Sequence, residues 1–451
     1  MGVISKARVT AWRNDEDSLF ISAEAEHSIH VSAAALQRAS HTLAKSLTGI
    51  RYAINLCQDR YLFSVAFCAV ISKGACNLLA QNSAMATQKR LLQDYPDTII
   101  LHDGQVELFP GAKTINVSDI DLVSSQEFAL PSILDNQLCA IVYTSGSTGE
   151  PKANYKYWST LVEGSCANFR NMRIPSNSTL LATVPPQHMW GLETSVLLPL
   201  FNRMSALSSR PFFPQDVADQ LSLMSSPRVM VSTPVHLRSI INSGVDLPSV
   251  EYVLCATAPL SKELAIDVER AFGGTLIEVY GCSEIGSMAV RQTVRKRSWT
   301  LFDNLNPHKG GNGNDWISAD HLPEPAPMQD RVQWLRKREF ELEGRGDDAL
   351  EVAGKRGSLR ELNQILLSMP DVEDGVIFLP PASPNACQGV LRPAAYVVSK
   401  IRITREDVYK YFSDFVDPVF VPRPVVQIEC IPRNDTGKVL RSTLLEHWSK
   451  R

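Results

Sequence analysis

Short apolar runs closed by turn-forming residues recur along the first two thirds of the chain. RYAINL (51–56), DTIILHDG (97–104), LCAIVYT (138–144), LLATVP (180–185), RVMVSTP (228–234), EYVLCATA (251–258) and LIEVYG (276–281) read as buried strands. Amphipathic stretches separate them. The run 62–71 is apolar throughout, is flanked by Arg60 and Lys73, and is too short to span a bilayer, so it predicts a buried helix. Strands alternating with helices predict an α/β chain on mainly parallel sheets, with ligands expected where strands end.

The texture changes between Val294 and Gln333, where Gly310, Gly311 and Gly313 and then Pro323, Pro325 and Pro327 predict irregular connections. A second unit is expected from about Gly344 to Asp348 onward. It holds a helix over 358–368, a strand pair at GVIFLP (375–380) and AAYVVS (394–399), and a closing helix after Lys438. The expected organisation is a large N-terminal domain of mainly parallel sheets flanked by helices, residues 1–346, then a small α+β C-terminal domain, residues 347–451.

Charge and cysteine content narrow the function classes. The 451 residues carry 45 basic and 48 acidic side chains, a net charge of -3, which gives no global electrostatic case for nucleic acid. Nine scattered cysteines form no CxxC pair, and the first residues lack the apolar core of a secretory signal. Both features predict reduced thiols in a cytoplasmic protein without a membrane span. Oligomeric state is not readable.

The segment YTSGSTGEPK (143–152) carries the chemistry. It follows a predicted strand and offers hydroxyls at Thr144, Ser145, Ser147 and Thr148, glycines at Gly146 and Gly149, and the ammonium of Lys152. Backbone N–H groups and hydroxyls of such a loop can wrap a polyphosphate while the lysine supplies charge. It is not a Walker A loop, because Gly149 is followed by Glu-Pro-Lys.

This loop resembles the signature of the adenylate-forming superfamily of acyl-CoA synthetases, adenylation domains and luciferases, and further segments occur in that family's order. By the resemblance, in Tyr280-Gly281-Cys282-Ser283-Glu284 the Tyr280 ring stacks on adenine, Ser283 touches the α-phosphate and Glu284 ligates Mg²⁺. Trp316-Ile317-Ser318-Ala319-Asp320 resembles the element whose aspartate holds the ribose hydroxyls, although two of its core letters differ. Gly344-Arg345-Gly346-Asp347-Asp348 resembles the hinge, which implies a mobile C-terminal domain, with Arg345 on the nucleotide and Asp347 as pivot. Gly354-Lys355-Arg356 resembles the loop that borders the pantetheine tunnel, which implies that role for Gly354. The stretch 432–441 carries Lys438, implied to reach the carboxylate and α-phosphate.

The same resemblance places the acid. Pro185-Pro186-Gln187-His188-Met189-Trp190-Gly191 resembles one wall of the acyl pocket, with His188 where amino-acid-activating relatives carry an aspartate for the ammonium. The opposite wall includes Thr257 and Ala258, and Gly281 and Gly286 flank the glutamate motif. Burying an unpaired ammonium costs several kcal/mol, on the order of 2–7 even for a neutral polar group, so an α-amino acid is disfavoured. Trp190 and Met189 favour an aromatic or apolar acid.

The short stretch between Glu284 and Asp320 resembles the compact ligases of aryl-polyene pigment pathways, implying a hydroxybenzoate-type acid loaded on an acyl carrier protein or CoA. ATP and Mg²⁺ are the implied cofactors. Basic clusters at 295–297 and 336–338 fit an acidic partner or, as charge runs usually are, solvated faces. The altered Ser318-Ala319-Asp320 element keeps open a nucleotide- or acyl-adenylate-binding protein without turnover.

Overall fold

The computed structural model describes residues 17–24, 27–80, 82–121, 131–145, 151–310, 315–345, 349–352, 355–380, 392–433, 437, 439 and 441–449. Its backbone is an 11-stranded sheet, a six-stranded sheet and three smaller sheets, with helices packed against them.

The large sheet runs in the order Asp330–Arg336, Glu339–Arg345, Trp299–Leu301, Gly286–Arg291, Thr275–Cys282, Tyr252–Cys255, Arg228–Ser232, Thr179–Ala182, Ser205–Leu207, Ser18–Glu24, His27–Ser32. Its centre is parallel, from Thr275–Cys282 across to Ser18–Glu24. Beyond Thr275–Cys282 every pairing is antiparallel. The six-stranded sheet is parallel except for Leu138–Ser145 against Pro151–Tyr157.

Alternation within the central strands shows why they are buried on both faces. In Arg228–Ser232, Val229 and Val231 enter the main core while Met230 enters the second, and Leu180 and Ala182 against Leu181 do the same. A pleated strand sends successive side chains to opposite faces, so an all-apolar run demands cover on both. The apolar helix predicted in the 60s is Arg60–Ser72, started by Asp59 accepting the Leu62 N–H at 2.9 Å.

The stretch 294–333 differs from its expectation as irregular. It holds Trp299–Leu301, a three-stranded sheet of Asn306–His308, Trp316–Ser318 and Ala326–Pro327, and the start of the hairpin Asp330–Arg336/Glu339–Arg345. Trp299–Leu301, Trp316–Ser318 and Ala326–Pro327 are two or three residues long, below the length at which periodicity speaks, whereas the seven-residue strand Asp330–Arg336 is long enough to show alternation. From Leu350 onward, residues pack into cores of their own, around Leu350, Leu366, Val397 and Phe412 and around Phe378, Tyr396 and Leu444.

Among the described residues eight cysteines are free, and no helix is long and apolar enough to cross a membrane.

Candidate active site

The site lies beyond the carboxyl ends of the parallel strands, where main-chain groups no longer pair and loops can carry chemistry. Its centre is the turn between Thr275–Cys282 and Gly286–Arg291, which are antiparallel with Cys282 opposite Gly286. Ser283 and Glu284 project from that turn, both partly exposed.

Two lysines of one strand grip Glu284. Lys152 and Lys156 are four residues apart on Pro151–Tyr157 and so lie on one face of it. Lys152 Nζ stands 2.6 Å from Glu284 Oε1. Lys156, fully buried, donates from Nζ to the Glu284 carbonyl at 3.1 Å. Gln329 adds an Nε2 donor to Glu284 Oε1 at 3.3 Å. Partial burial alone raises the Glu284 carboxyl pKa, but the hydrogen bond and charge of Lys152 outweigh it and hold the group below the usual range. Glu284 is therefore a carboxylate at neutral pH.

Lys152 also marks the root of the phosphate-type loop. Leu138–Ser145 returns antiparallel as Pro151–Tyr157, with Thr144 opposite Lys152 and Ser145 opposite Pro151. Thr144 Oγ1 accepts from Asn154 Nδ2 at 3.3 Å. Gly146, Ser147, Thr148 and Gly149 lie outside the described residues, as does the Ser145 side chain.

On the other side of the turn, Tyr280 is buried, with ring centroids 5.6 Å from Trp299 and 6.0 Å from Phe340. Its hydroxyl donates to Asp330 Oδ2 at 2.8 Å. Asp330 opens the hairpin in which it stands directly opposite Arg345, whose side chain is outside the described set. Arg291 stacks 4.4 Å over Trp299 and pairs with the buried Glu278 at 2.7 Å, fixing the platform behind Tyr280. Asp320 lies on an exposed turn after Trp316–Ser318.

The segment from Pro185 to Gly191, expected to wall the acid, is tightly held. Arg60, fully buried, donates to the carbonyls of Ala182 and Val184 at 2.7 and 2.6 Å. Gln187 Nε2 donates to the Cys57 carbonyl at 2.6 Å. His188 caps the following turn by accepting the Trp190 N–H at Nδ1 (3.3 Å), and Trp190 Nε1 donates to the Ser232 carbonyl at 3.1 Å. Gly191 leaves no room for a side chain, because a Cβ would sit 2.0 Å from the Pro185 oxygen.

Gly286 has φ +99° and a Cβ there would meet Glu193 Oε1 at 2.4 Å. Buried Glu193, in the π-helical turn Leu192–Leu197, accepts the Ser287 N–H at 3.1 Å and its hydroxyl at 2.7 Å. Thr257 holds φ +84°, a region β-branched residues avoid, and its Oγ1 is buried without a partner. Ala258 follows it, half-buried, and Gly281 is exposed beside the glutamate turn.

Sequence reasoning missed Asp330, Lys156, Glu193 and Gln329. A signal for Asp330 was present: Val332 and Trp334 alternate with polar neighbours, Phe340 and Leu342 do likewise, and Lys337-Arg338 separates them. That hairpin register puts residue 330 beside residue 345. Lys438, Asp347 and Gly354 lie outside the described residues.

Residues 39–306 match the family model of the AMP-binding enzyme. A 4-coumarate–CoA ligase of Rhodobacter capsulatus is 28% identical over 250 residues, 55% of this chain and 62% of the relative. The p-hydroxybenzoic acid–AMP ligase FadD22 of Mycobacterium marinum is 25% identical over 385 residues, 77% of this chain and 53% of the relative. The chain thus spans less than two thirds of the length of either relative. ATP-bound MatB of Rhodopseudomonas palustris superposes with a TM-score of 0.80 over 96% of both chains at 18% identity, a likeness of fold.

Proposed function

Because this chain belongs to the AMP-binding enzyme family, we propose that it is an ATP-dependent carboxylate ligase that forms an acyl-adenylate and passes the acyl group to a phosphopantetheine thiol. The observation that carries this reading is the meeting of Lys152 and Glu284 at 2.6 Å across 132 residues of sequence, at the root of the Ser/Thr/Gly loop. A lysine for phosphate oxygens beside an ionised carboxylate is the donor set a magnesium–nucleotide complex requires, since Mg²⁺ uses few protein ligands and several phosphate oxygens. The ion, held by Glu284, would neutralise phosphate charge.

The chain's own groups then divide the work. The loop from Thr144 to Gly149 and Lys152 hold the polyphosphate, and Ser283 offers its hydroxyl to the α-phosphate. Tyr280 supports the base. Asp330, rather than Asp320, takes the ribose hydroxyls, because it sits on Tyr280 and opposite Arg345.

A carboxylate oxygen of the acid attacks the α-phosphorus and the bond to pyrophosphate breaks. Lys438 stabilises the charge that shifts in this in-line displacement. A thiolate then attacks the acyl carbonyl and AMP leaves, the C-terminal domain turning about Asp347 to bring Gly354 to the thiol.

The acid is an aryl or apolar one, and an aryl acid of the hydroxybenzoate type fits best. His188, Met189, Trp190 and Ile285 present flat, adaptable and apolar surface, and the unpartnered Thr257 hydroxyl offers one polar contact. Two similar proteins bear the names of 4-coumarate and p-hydroxybenzoic acid. The acceptor is CoA or an acyl carrier protein.

The test is pyrophosphate release with benzoate, 4-hydroxybenzoate, 4-coumarate and octanoate, each then offered CoA or a holo carrier protein. Acid-dependent release that disappears in Glu284→Gln is expected. No release with any acid, or release undiminished in Glu284→Gln, defeats the reading.

A further inference from the structure

The helix Pro234–Ser243 touches the C-terminal unit at two points one turn apart. Its start is fixed by Thr233, which accepts the His236 N–H at 3.4 Å, and by Pro234 in the first turn. Val235 and Arg238, three residues apart, share one face. Gly437 lies against that face, where a Cβ would be 3.3 Å from Val235 and 3.5 Å from Thr233 Oγ1. One turn on, Arg238 Nη1 donates to the Glu373 carbonyl at 2.9 Å.

Those two contacts are joined inside the C-terminal unit. Glu373 immediately precedes the strand Asp374–Phe378, and the Asp374 carboxylate is gripped by Arg433 Nη2 at 2.8 and 2.9 Å. The same guanidinium donates from Nη1 to the Gly437 carbonyl at 2.8 Å. The contacts therefore close into a ring: Arg238 to Glu373-Asp374, to Arg433, to Gly437, and back to Val235 on the helix that carries Arg238. Both guanidiniums are largely withdrawn from water, where charge-assisted bonds hold geometry most firmly.

We propose that Arg238 is a positioning residue for adenylation, latching Gly437, the residue that precedes Lys438 in sequence, onto the helix Pro234–Ser243, with Arg433 and Asp374 as the internal strut. The inference rests on the reading of Lys438 as the group that meets the carboxylate and α-phosphate. Arg238 touches no substrate. It sets where the C-terminal unit rests during the first half-reaction, and a displacement of about 1 Å costs roughly 100-fold when it misplaces a reacting group. A rotated C-terminal unit gives up this ring, so the second half-reaction does not need it.

The experiment compares Arg238→Ala, Arg238→Lys and the unmodified full chain in two assays, using the best acid of the panel above. The first is acid-dependent exchange of pyrophosphate into ATP. The second is transfer from the presynthesised acyl-adenylate to pantetheine, the thiol arm shared by CoA and carrier proteins. Arg238→Ala is expected to lose 10- to 100-fold in exchange, in kcat with KM for ATP within threefold, while transfer stays within threefold of the unmodified protein. Arg238→Lys, which retains one N–H donor for the Glu373 carbonyl, recovers most of the exchange. Retained transfer also shows that the variant is folded. Exchange by Arg238→Ala within twofold of normal, or an equal fall in both assays, overturns the latch alone. Absence of exchange in the unmodified chain overturns the functional reading and the latch with it.

Discussion

Tyr280 and Asp330, fifty residues apart, meet through a phenol-to-carboxylate hydrogen bond of 2.8 Å that ties the end of a central strand to the start of an edge hairpin. A carboxylate accepts from several donors at once, which is what taking a ribose diol requires. Asp320 stands exposed on a separate turn.

Asp330→Asn is accordingly expected to raise KM for ATP about 10- to 100-fold, the loss of one charge-assisted hydrogen bond worth about 1.5–3 kcal/mol. Asp320→Asn should stay within about twofold, as surface changes usually do. Steady-state kinetics with ATP varied checks both, and the reverse ranking of the two variants would remove Asp330 from the ribose role.

Lys152 and Glu284 allow a sharper separation of binding from folding. The lysine side chain is 58% exposed, so the pair contributes little to stability and Lys152→Ala should leave the melting temperature nearly unchanged. Pyrophosphate release should nevertheless fall by about 100- to 1,000-fold, the usual loss when a donor aimed at developing charge is removed. A variant that melts early in proportion to its lost activity would show that the pair is structural.

Much of this arrangement was legible because several signals agree along the chain. The central strand runs between Leu138 and Cys282 are mostly apolar since both faces are covered, and they end in residues that turn the chain. Lys152 and Glu284 each stood in a motif that named them. Lys156 and Glu193 were not legible, because a lone lysine in a strand and a lone glutamate in an apolar run read as ordinary surface or error until the fold buries them together under Glu284 and Ser287. Asp330 was hidden by a different cause: its place beside Tyr280 and opposite Arg345 comes from a hairpin register, while the tryptophan-led segment 316–320 carried the resemblance to the ribose element.

Gly286 tests the packing beneath the metal-side turn. Its φ of +99° strains any L side chain, and a new Cβ would overlap Glu193 Oε1 at 2.4 Å. Gly286→Ala should destabilise by about 2–4 kcal/mol, combining the backbone and overpacking costs. Glu193→Ala removes the overlap at the cost of its own hydrogen bonds to Ser287, so the double variant should lose less than the sum of the two single variants. Strict additivity in urea midpoints would mean that the two residues do not meet as described.

His236 provides the pH dependence. Burial, with Arg210 adding repulsion, lowers its pKa to about 4, and its Nδ1 lies 2.8 Å from Thr183 Oγ1, itself 2.9 Å from Ser232 Oγ. The free imidazole titrates near 6.5, so between that pH and about 4 the unfolded chain binds a proton that the folded chain does not. Stability therefore rises with pH across this window and is lost as pH falls through it, by at most about 3 kcal/mol. His236→Gln deletes the titration while keeping a group able to bond Thr183. Its urea midpoint should lie below that of the unmodified protein at pH 7.5, by the cost of an imperfect hydrogen bond, and the gap should narrow or reverse by pH 4.5. Parallel midpoint curves for the two proteins from pH 7.5 to 4.5 would show that His236 is not held neutral by the fold.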